Sequence, residues 1–600
     1  MTGEAQAEST RRVDAAILLC MVAFAGLSLW LAWARYSQVA HRTFDLALYA
    51  RIAWGLGHGE LYNPITDSNF FGGHVPWVLW PLGLLGRFFG TVEVLLTAQS
   101  LAFALTAWPL SRIAARKLGP VGALVTAVAW LVHPNLGHVV AYEFHPGSLA
   151  ALPMALALDA FDREQPRALC IHAALTVACR ASLTLQVAAL ALLWLPRPKL
   201  RKLATGLLLG SLAYFTLTTW LLPRWLGEQG LSASAQAHYG HLGGSPLGAL
   251  PLLFRDPSAL LSHFTAPERL YYLPWVLTPL ALMPLWAPRL LLMAAPPLLL
   301  NLLSAFPTAQ QMYSHYLTPA LVPLLVAAVE GVGTLSRRGP SLLLFSACSL
   351  GSALLWGGLP GARAFPGADF KAGPHSQARH QVLARIAPDR SVQAPDALLP
   401  HLAERRWLFR GPPPERGAEL VVLDAHHRRR FARREDLLRT VEEPLMRQWL
   451  GRPDFGLIFT AGDLLLLEKG ADPRAGPARH YLRAHAWREP PQALCACLAV
   501  HGATLRESVL ELELSARGPC PDDLALRIGD EARPRRVDLA FEGLLSPRAL
   551  QEGDALRSPH ALSDAERARI MGRGLHVGAL RSSGARPEPG DPTSVRVPLR

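Results

Sequence analysis

Between two apolar runs, His133–Pro146 reads His-Pro-Asn-Leu-Gly-His-Val-Val-Ala-Tyr-Glu-Phe-His-Pro. The stretch supplies His133, His138, His145 and one carboxylate, Glu143. Imidazole and carboxylate together can ligate a metal, hold a phosphate or move a proton. Glu143 and His145 are two residues apart, which suits an extended loop, because residues two apart on a helix do not share a face. The structural alternative is local hydrogen bonding that caps helix ends beside Pro134 and Pro146. Ionisable groups next to lipid are costly and usually serve a function. The other residues with chemical potential are Asp45, His74, Arg180 and two His-Tyr pairs, His238-Tyr239 and His315-Tyr316. A carboxylate such as Asp45, shielded from water, can have a pKa high enough to deprotonate an acceptor hydroxyl. Its structural alternative is an N-cap for a helix over Leu46–Gly55. Tyrosines at a membrane interface commonly act as anchors, so the His-Tyr pairs have that alternative too.

The elements that must position these groups follow from composition. The chain has 600 residues, is 50% hydrophobic and carries a formal net charge of +13. Its long uncharged runs lie before about residue 360, and the remainder is rich in Arg, Pro and Glu. That division predicts a mainly α, polytopic membrane domain over 1–360 followed by a soluble region. The basic residues sit in short loops and in the tail without interleaved aromatics, which argues against nucleic-acid binding. The first apolar run, Val13–Trp33, follows Arg11-Arg12 and leads into Arg35 and Tyr36 rather than a small-x-small cleavage site. It reads as a retained first helix. Further helices are expected at Val92–Ala115, Val121–Val140, Gly147–Phe161, Ala168–Cys179, Leu183–Leu195, Leu203–Leu222, Leu270–Trp286, Leu290–Ser304, Tyr316–Leu335 and Ser341–Leu359. The total is about eleven transmembrane helices, several of them short for a straight span. Val75–Phe89, short and carrying Pro76 and Pro81, reads as interfacial or re-entrant. That choice leaves Arg112, Arg116 and Lys117 in the cytoplasm, with Arg163, Arg167, Arg197–Lys202, Arg289 and Arg337-Arg338, as the positive-inside rule prefers. The N-terminus is then cytoplasmic and the tail extracytoplasmic. Asp45, His74, His133–Pro146, Arg180 and both His-Tyr pairs all fall on the outer side.

The tail divides into a small α/β domain over 365–470 and a β-rich module over 480–600. Short strands are expected at Ser391–Ala394, Leu420–Leu423, Leu457–Thr460 and Leu464–Leu467, and alternation at Val509–Leu514 marks the second part. The basic run His426–Arg430 with Arg433-Arg434 reads as a solvated helix face. Cys495, Cys497 and Cys520 lack a zinc-site spacing. In an oxidising compartment, Cys520 bonded to one of the other two is the expected disulfide, since adjacent-but-one cysteines rarely bond to each other.

Phe44-Asp45-Leu-Ala-Leu-Tyr49, Gly72-Gly-His74, His133-Pro to Glu143-Phe-His145-Pro, His238-Tyr239 with Leu242-Gly243, Asn301–Ser304, and Ser314-His-Tyr316 with Pro319 occur in an order that resembles a bacterial family of polytopic membrane proteins of unknown function. Val392, Pro400-His401-Leu402 and Val421–Asp424 continue the resemblance, which covers about 15–470. That family is distantly similar to the GT-C glycosyltransferases, which take sugars from polyprenyl-phosphate or similar lipid donors. The resemblance implies a bacterial inner-membrane location and a lipid-linked sugar donor as partner. It also implies that Asp45, in the first outer loop, is a catalytic base or metal ligand. His74, His138, Glu143, His145, Arg180, His238, Tyr239, His315 and Tyr316 would then contact substrate. A divalent metal, magnesium or manganese, would sit on Asp45, Glu143 and His145. One departure stands out: Arg180-Ala-Ser182 occupies the place where the family shows an acidic pair. Arg180 either meets a phosphate directly, in place of a metal bridge, or marks a lost activity. The non-enzymatic alternatives are a transporter, a lipid-handling protein or a pseudoenzyme scaffold. A transporter is expected to carry midplane ionisable residues and repeats, and neither is evident.

Overall fold

The computed structural model describes residues 3–226, 230–411, 417–424, 449, 452, 454–461, 464–471, 490–506, 509–518, 520, 524–530, 533–539, 550, 552–581 and 595–599. The basic run His426–Arg430 and Arg433-Arg434 lies outside them. The chain forms two units, Met1–Lys371 with Asp396–Leu408, and Ala372–Pro395 with Phe409–Arg600.

The first unit is helical: α1 (Gly3–Ser37), α2 (Asp45–Gly57), α3 (Leu79–Phe89), α4 (Thr91–Leu131), α5 (Pro134–Tyr142), α6 (Pro146–Leu149), α7 (Ala151–Asp162), α8 (Pro166–Cys179), α9 (Thr184–Trp194) and α10 (Arg201–Thr216). Helices Pro288–Leu303, Thr318–Thr334 and Arg338–Trp356 follow. Among the described residues, 4 helical stretches are long and apolar enough to cross a membrane: Glu8–Ser37, Thr91–Tyr142, Arg201–Trp225 and Arg338–Trp356. Pro166–Cys179, Ala181–Trp194, Pro288–Leu303 and Thr318–Thr334 are apolar but shorter. α4 breaks at Gly119 (φ 76°), immediately before Pro120, so the two runs expected at Val92–Ala115 and Val121–Val140 are separate segments. The helix expected at Leu270–Trp286 does not form as one piece. It is divided into Tyr272–Leu277, Thr278–Leu280 and Met283–Trp286, with Ala281 and Leu282 left-handed between them (φ 52° and 60°). Pro274, Pro279 and Pro284 remove the amide donors that a continuous helix needs there.

α3 has 11 residues. At 1.5 Å per residue it is roughly 16 Å long, about half of a bilayer's hydrocarbon thickness. One side of it is apolar and exposed, with Phe88 at 80% and Phe89 at 70% accessibility, beside Trp80, Leu84 and Leu85. A helix of that length with an uncovered apolar face suits the membrane interface rather than a crossing. Its other side packs on α2 through two glycines. A Cβ added to Gly83 would lie 1.9 Å from the Ala53 carbonyl oxygen, and one on Gly57 would lie 2.6 Å from the Gly83 oxygen. The helices therefore touch backbone to backbone.

The segment Asp396–Leu408 belongs with the helical unit although it follows the tail's first strand. The His401 ring stacks on Tyr36 (4.1 Å between centroids, 1° between planes), and its Nε2 lies 3.0 Å from the Tyr36 carbonyl. Arg51 donates to the Arg406 carbonyl (2.8 Å), and the Glu404 carboxylate accepts from the Thr91 amide at the start of α4. Ala403 is buried in the apolar cluster formed by α2, α3 and α4. Just before the Gly119 break of α4, and at the last turns of α7 and Thr318–Thr334, opposite charges interlock: Arg116 with Asp159 and Asp162, Lys117 with Asp162 and Glu330, and Arg289 with Glu330.

The second unit contains a five-stranded sheet in the order Leu408–Arg410, Val392–Ala394, Leu420–Asp424, Leu464–Lys469, Phe455–Ala461. Val392–Ala394 pairs in parallel with Leu420–Asp424, and the remaining pairs around Leu464–Lys469 are antiparallel. Two four-stranded antiparallel sheets follow, built around Val509–Ala516 and Leu524–Asp530, and they share one apolar core with the first sheet. Cys497 and Cys520 form a disulfide (Cα–Cα 5.4 Å), while Cys495 remains a thiol.

The glycine contact gives an expected outcome. On an isolated helix, Gly83→Ala would stabilise by about 1 kcal/mol through helix propensity. Here the methyl group meets a carbonyl oxygen, and overpacking of about 1–3 kcal/mol reverses the sign. The melting temperature of the purified protein in detergent should fall. A rise would show that α2 and α3 are not in backbone contact.

Candidate functional site

The polar residues gather where helices begin or end. α2 begins at Asp45, with Phe44 in the N-cap position and no side-chain cap from its own chain segment. The cap comes from Glu143, a hundred residues on (sequence separation 100), whose Oε1 accepts from the Thr43 amide (2.9 Å) and whose Oε2 accepts from the Leu46 amide (2.9 Å). A carboxylate there satisfies orphan amides and meets the positive end of the helix dipole. The capping role considered for Asp45 is thus filled by Glu143. Burial, and then the nearby Asp45 charge, push Glu143 up to about 8 against the lowering effect of the two amides.

Glu143–His145 is extended backbone, as the two-residue spacing predicts, and it is pinned by Gln99 of α4. Gln99 Nε2 donates to the Glu143 carbonyl (3.0 Å), and its Oε1 accepts from the His145 amide (3.0 Å). A buried backbone outside regular structure needs such partners. The pinning aims the His145 ring at Asp45: Nε2 lies 3.2 Å from Asp45 Oδ2, which also accepts from Thr43 Oγ1 (3.3 Å). On its other face His145 stacks against His315, with centroids 3.4 Å apart, and His315 in turn meets Tyr316 (4.2 Å). The Tyr316 hydroxyl lies 3.4 Å from His238 Nε2, and His238 Nδ1 lies 2.7 Å from Ser304 Oγ. Tyr239 donates to the Leu300 carbonyl (3.2 Å).

Arg180 ends α8 in an extended conformation. Its Nη2 lies 3.2 Å from His74 Nε2, and the Ala181 amide donates to the His74 carbonyl (3.0 Å). Val75, next to His74, has φ 46°, a costly conformation for a β-branched residue. The Arg180 charge, followed by burial, holds His74 well below the usual imidazole range. Burial first, with His145 and Arg180 adding to it, does the same for His315. Tyr49 is raised by burial and Asp45, with Arg180 opposing. These mutual influences place Asp45, Tyr49, His74, His145, Arg180, His238, His315 and Tyr316 in one cluster.

One expected contact, His138, stands apart, as does His133 of the same stretch. His138 Nε2 lies 2.7 Å from the Trp356 carbonyl and its ring packs near Tyr313, so the α5 turn carries it away from the cluster. His133 caps α5, its Nδ1 accepting from the Asn135 amide (3.3 Å). Tyr49 and Gln99 were not among the expected site residues. Tyr49 follows Asp45 by four positions on α2, which puts both on one helix face, so the spacing itself is the signal. Gln99 is a lone amide in an apolar helical run, the kind of residue that marks a buried polar contact.

Glu143 directs Oε1 to the Thr43 amide and Oε2 to the Leu46 amide, and among the described residues no group of three His, Cys, Asp or Glu side chains is placed to hold an ion. A separate groove of about 520 Å³, lined by Leu18, Met21, Trp108 and Leu156 among others, is apolar and shares no residue with the cluster.

The fold and cluster together define a multi-helix membrane protein with a polar site at helix ends. Residues 35–429 match the family described as "Predicted membrane protein (DUF2079)". The chain belongs to this family. Among curated proteins, none matches it. Two solved structures are similar. The crystal structure of ArnT from Cupriavidus metallidurans bound to undecaprenyl phosphate has 13% identity and a TM-score of 0.46, covering 76% of this chain and 98% of its own. The same protein in the apo state has 13% identity and a TM-score of 0.43, covering 74% and 98%.

Glu143 titration carries a sign that can be checked. The folded-state pKa of about 8 exceeds the ordinary 4.5, so the stability it contributes is complete below pH 4.5 and is lost as pH rises through 8. The melting temperature in detergent should decline across that interval, and Glu143→Gln should flatten the decline. An equally steep decline in the variant would assign the pH dependence to another group.

Proposed function

We propose that this chain is a GT-C-type membrane glycosyltransferase that transfers a sugar from a lipid-linked polyprenyl-phosphate donor to an acceptor at the outer face of the inner membrane. The observation that carries this reading is the Asp45–His145 pair. Asp45 keeps 25% of its side chain accessible, while His145, at 5%, is held behind it by backbone bonds. A general base needs this combination: an oxygen that an incoming hydroxyl can reach, and a partner that fixes its orientation. The phenol of Tyr49, on the same face of α2, stands beside the base and is kept protonated by burial, ready to donate a hydrogen bond to a sugar oxygen. His238, held by Ser304 and Tyr316, would contact substrate on the other side of the cluster. The uncovered apolar face of α3 supports a donor presented at the membrane surface, since it would seat α3 at the lipid–water boundary next to α2. The basic stretch Arg112–Lys117 of α4 and Arg289 would then be cytoplasmic and the second unit extracytoplasmic.

Removing a general base typically costs about 10²–10⁴ in rate. Asp45→Asn should therefore reduce incorporation of label from a polyprenyl-phosphate sugar, assayed in membranes, by at least that lower factor. Tyr49→Phe, which keeps the ring, should reduce it less. Full transfer by Asp45→Asn would remove Asp45 as the base. Absence of transfer by the native chain with every donor tested would favour a non-catalytic scaffold, the reading to which Arg180-Ala-Ser182 also belongs.

A further inference from the structure

The charges of the cluster are divided. The carboxylates Asp45 and Glu143 lie over the first turn of α2. The fixed cation, Arg180, is on the side of His74, His238 and His315, and its charge reaches all three as well as Tyr49, Tyr239 and Tyr316. Arg180 has no carboxylate within ion-pair distance among the described residues. Its side-chain contact is to His74 Nε2, and its Nε is buried with no hydrogen-bond partner. Guanidinium only donates, so His74 Nε2 must accept, which makes His74 a neutral ring that orients the cation. His74 is itself fixed by the backbone bond from Ala181, and a second bond, from the Val78 amide to the Ala178 carbonyl (3.0 Å), laces the two segments together. A buried guanidinium donor left unsatisfied is expensive unless an anion completes it. Arg35 and Arg51 in the same unit also keep a buried Nε without a partner, but each has a carboxylate at its guanidinium, Asp369 for Arg35 and Glu60 for Arg51, which Arg180 lacks among the described residues.

We propose that Arg180, oriented by His74, is a phosphate subsite that takes the phosphoester oxygens directly on its guanidinium, without a bridging divalent cation. The fork geometry of Arg matches phosphate in two parallel hydrogen bonds, which Lys does not reproduce. The absence of a three-residue ligand set among the described residues is consistent with this division: the anion is held by a fixed charge on one side, and the carboxylates are kept for proton handling and helix capping on the other. His74 is a positioning residue. The proposal rests on the glycosyltransferase reading only for the source of the phosphate, a lipid rather than a free anion.

The test is binding, not turnover. Full-length protein in detergent is titrated with farnesyl phosphate, and separately with inorganic phosphate, with EDTA present and then with excess magnesium. Native protein should bind farnesyl phosphate with the same Kd, within about twofold, in both conditions. Arg180→Gln should weaken binding by about 10- to 100-fold, as loss of a charged hydrogen-bond donor does. Arg180→Lys should recover only part of the loss. His74→Ala should weaken binding, and His74→Gln, which retains an acceptor, should restore it; a role confined to packing would not discriminate between those two. Melting curves for each variant identify any that fail to fold, and the His74 pair then decides. Binding that disappears in EDTA and returns with magnesium overturns the proposal, as does unchanged binding by Arg180→Gln, or no binding of either probe by the native chain. Arg180-dependent binding of inorganic phosphate alone overturns the lipid source and keeps the subsite. If farnesyl phosphate binds as described and no sugar is transferred, the glycosyltransferase reading fails and the subsite stands.

Discussion

The structure of the site depends on one carboxyl group, Glu143, closing the N-terminus of a helix that lies far from it in sequence. Without its two bonds to Thr43 and Leu46, the first turn of α2 would present unsatisfied amides to a buried environment. Those amides set where Asp45 points, because Asp45 is the first residue of the turn they begin. Gln99 completes the arrangement by holding the backbone on either side of the Glu143–His145 segment. Three separate elements, α2, α4 and the α5–α6 connection, are thus bound at one point. Each bond is replaceable only by water, which has little access there, since Glu143 is 1% and Gln99 2% exposed.

That point is supported from behind. α2 is pressed against α3 by glycines that leave no side chain between the backbones, so α2 has little freedom to roll. Its middle is tied through Arg51 to the Arg406 carbonyl and to Glu60. The Asp396–Leu408 segment that provides this tie also stacks His401 on Tyr36, at the end of α1. The helix that begins with Asp45 is therefore fixed at its start by a cap, along its side by close packing, and at its middle by a buried cation. Placement of a side chain to within a fraction of an ångström needs this kind of redundancy.

Much of this was legible in the sequence, for a physical reason. In a chain half of whose residues are hydrophobic, a charged or imidazole side chain beside an apolar run is conspicuous, so His74, His145, Arg180, His238 and His315 stood out by type and position, while Asp45 was singled out through the family resemblance. The Cys497–Cys520 disulfide was one of two pairings that geometry left open. What was hidden depends on direction and distance. His138 has the same type and neighbourhood as His145, yet it lies five positions before Glu143, on α5, and its ring meets the Trp356 carbonyl. The partnership of Glu143 with Thr43 and Leu46 spans about a hundred residues and leaves no local pattern. The prolines within Leu270–Trp286 were visible, but hydrophobicity alone favoured a single helix there. Residues Asp396–Leu408 lie between two strands of one sheet and nonetheless pack with helices, a tertiary choice that periodicity does not encode.

The division of charge in the cluster is the feature that most constrains its chemistry. A base and an anion-binding cation placed in direct contact would neutralise each other, and neither would be available to a substrate. Here His145 stands at Asp45 and His74 at Arg180, so that each charged group has an imidazole beside it. Tyr49 and Tyr316 sense both Asp45 and Arg180 and mark the ground between them. The His74 ring accepts from the guanidinium, and the His145 ring lies against the carboxylate. The histidines that first drew attention in this chain are best understood in that light: they keep two opposed charges oriented and apart, so that a substrate bringing a phosphate and a hydroxyl would find a separate partner for each.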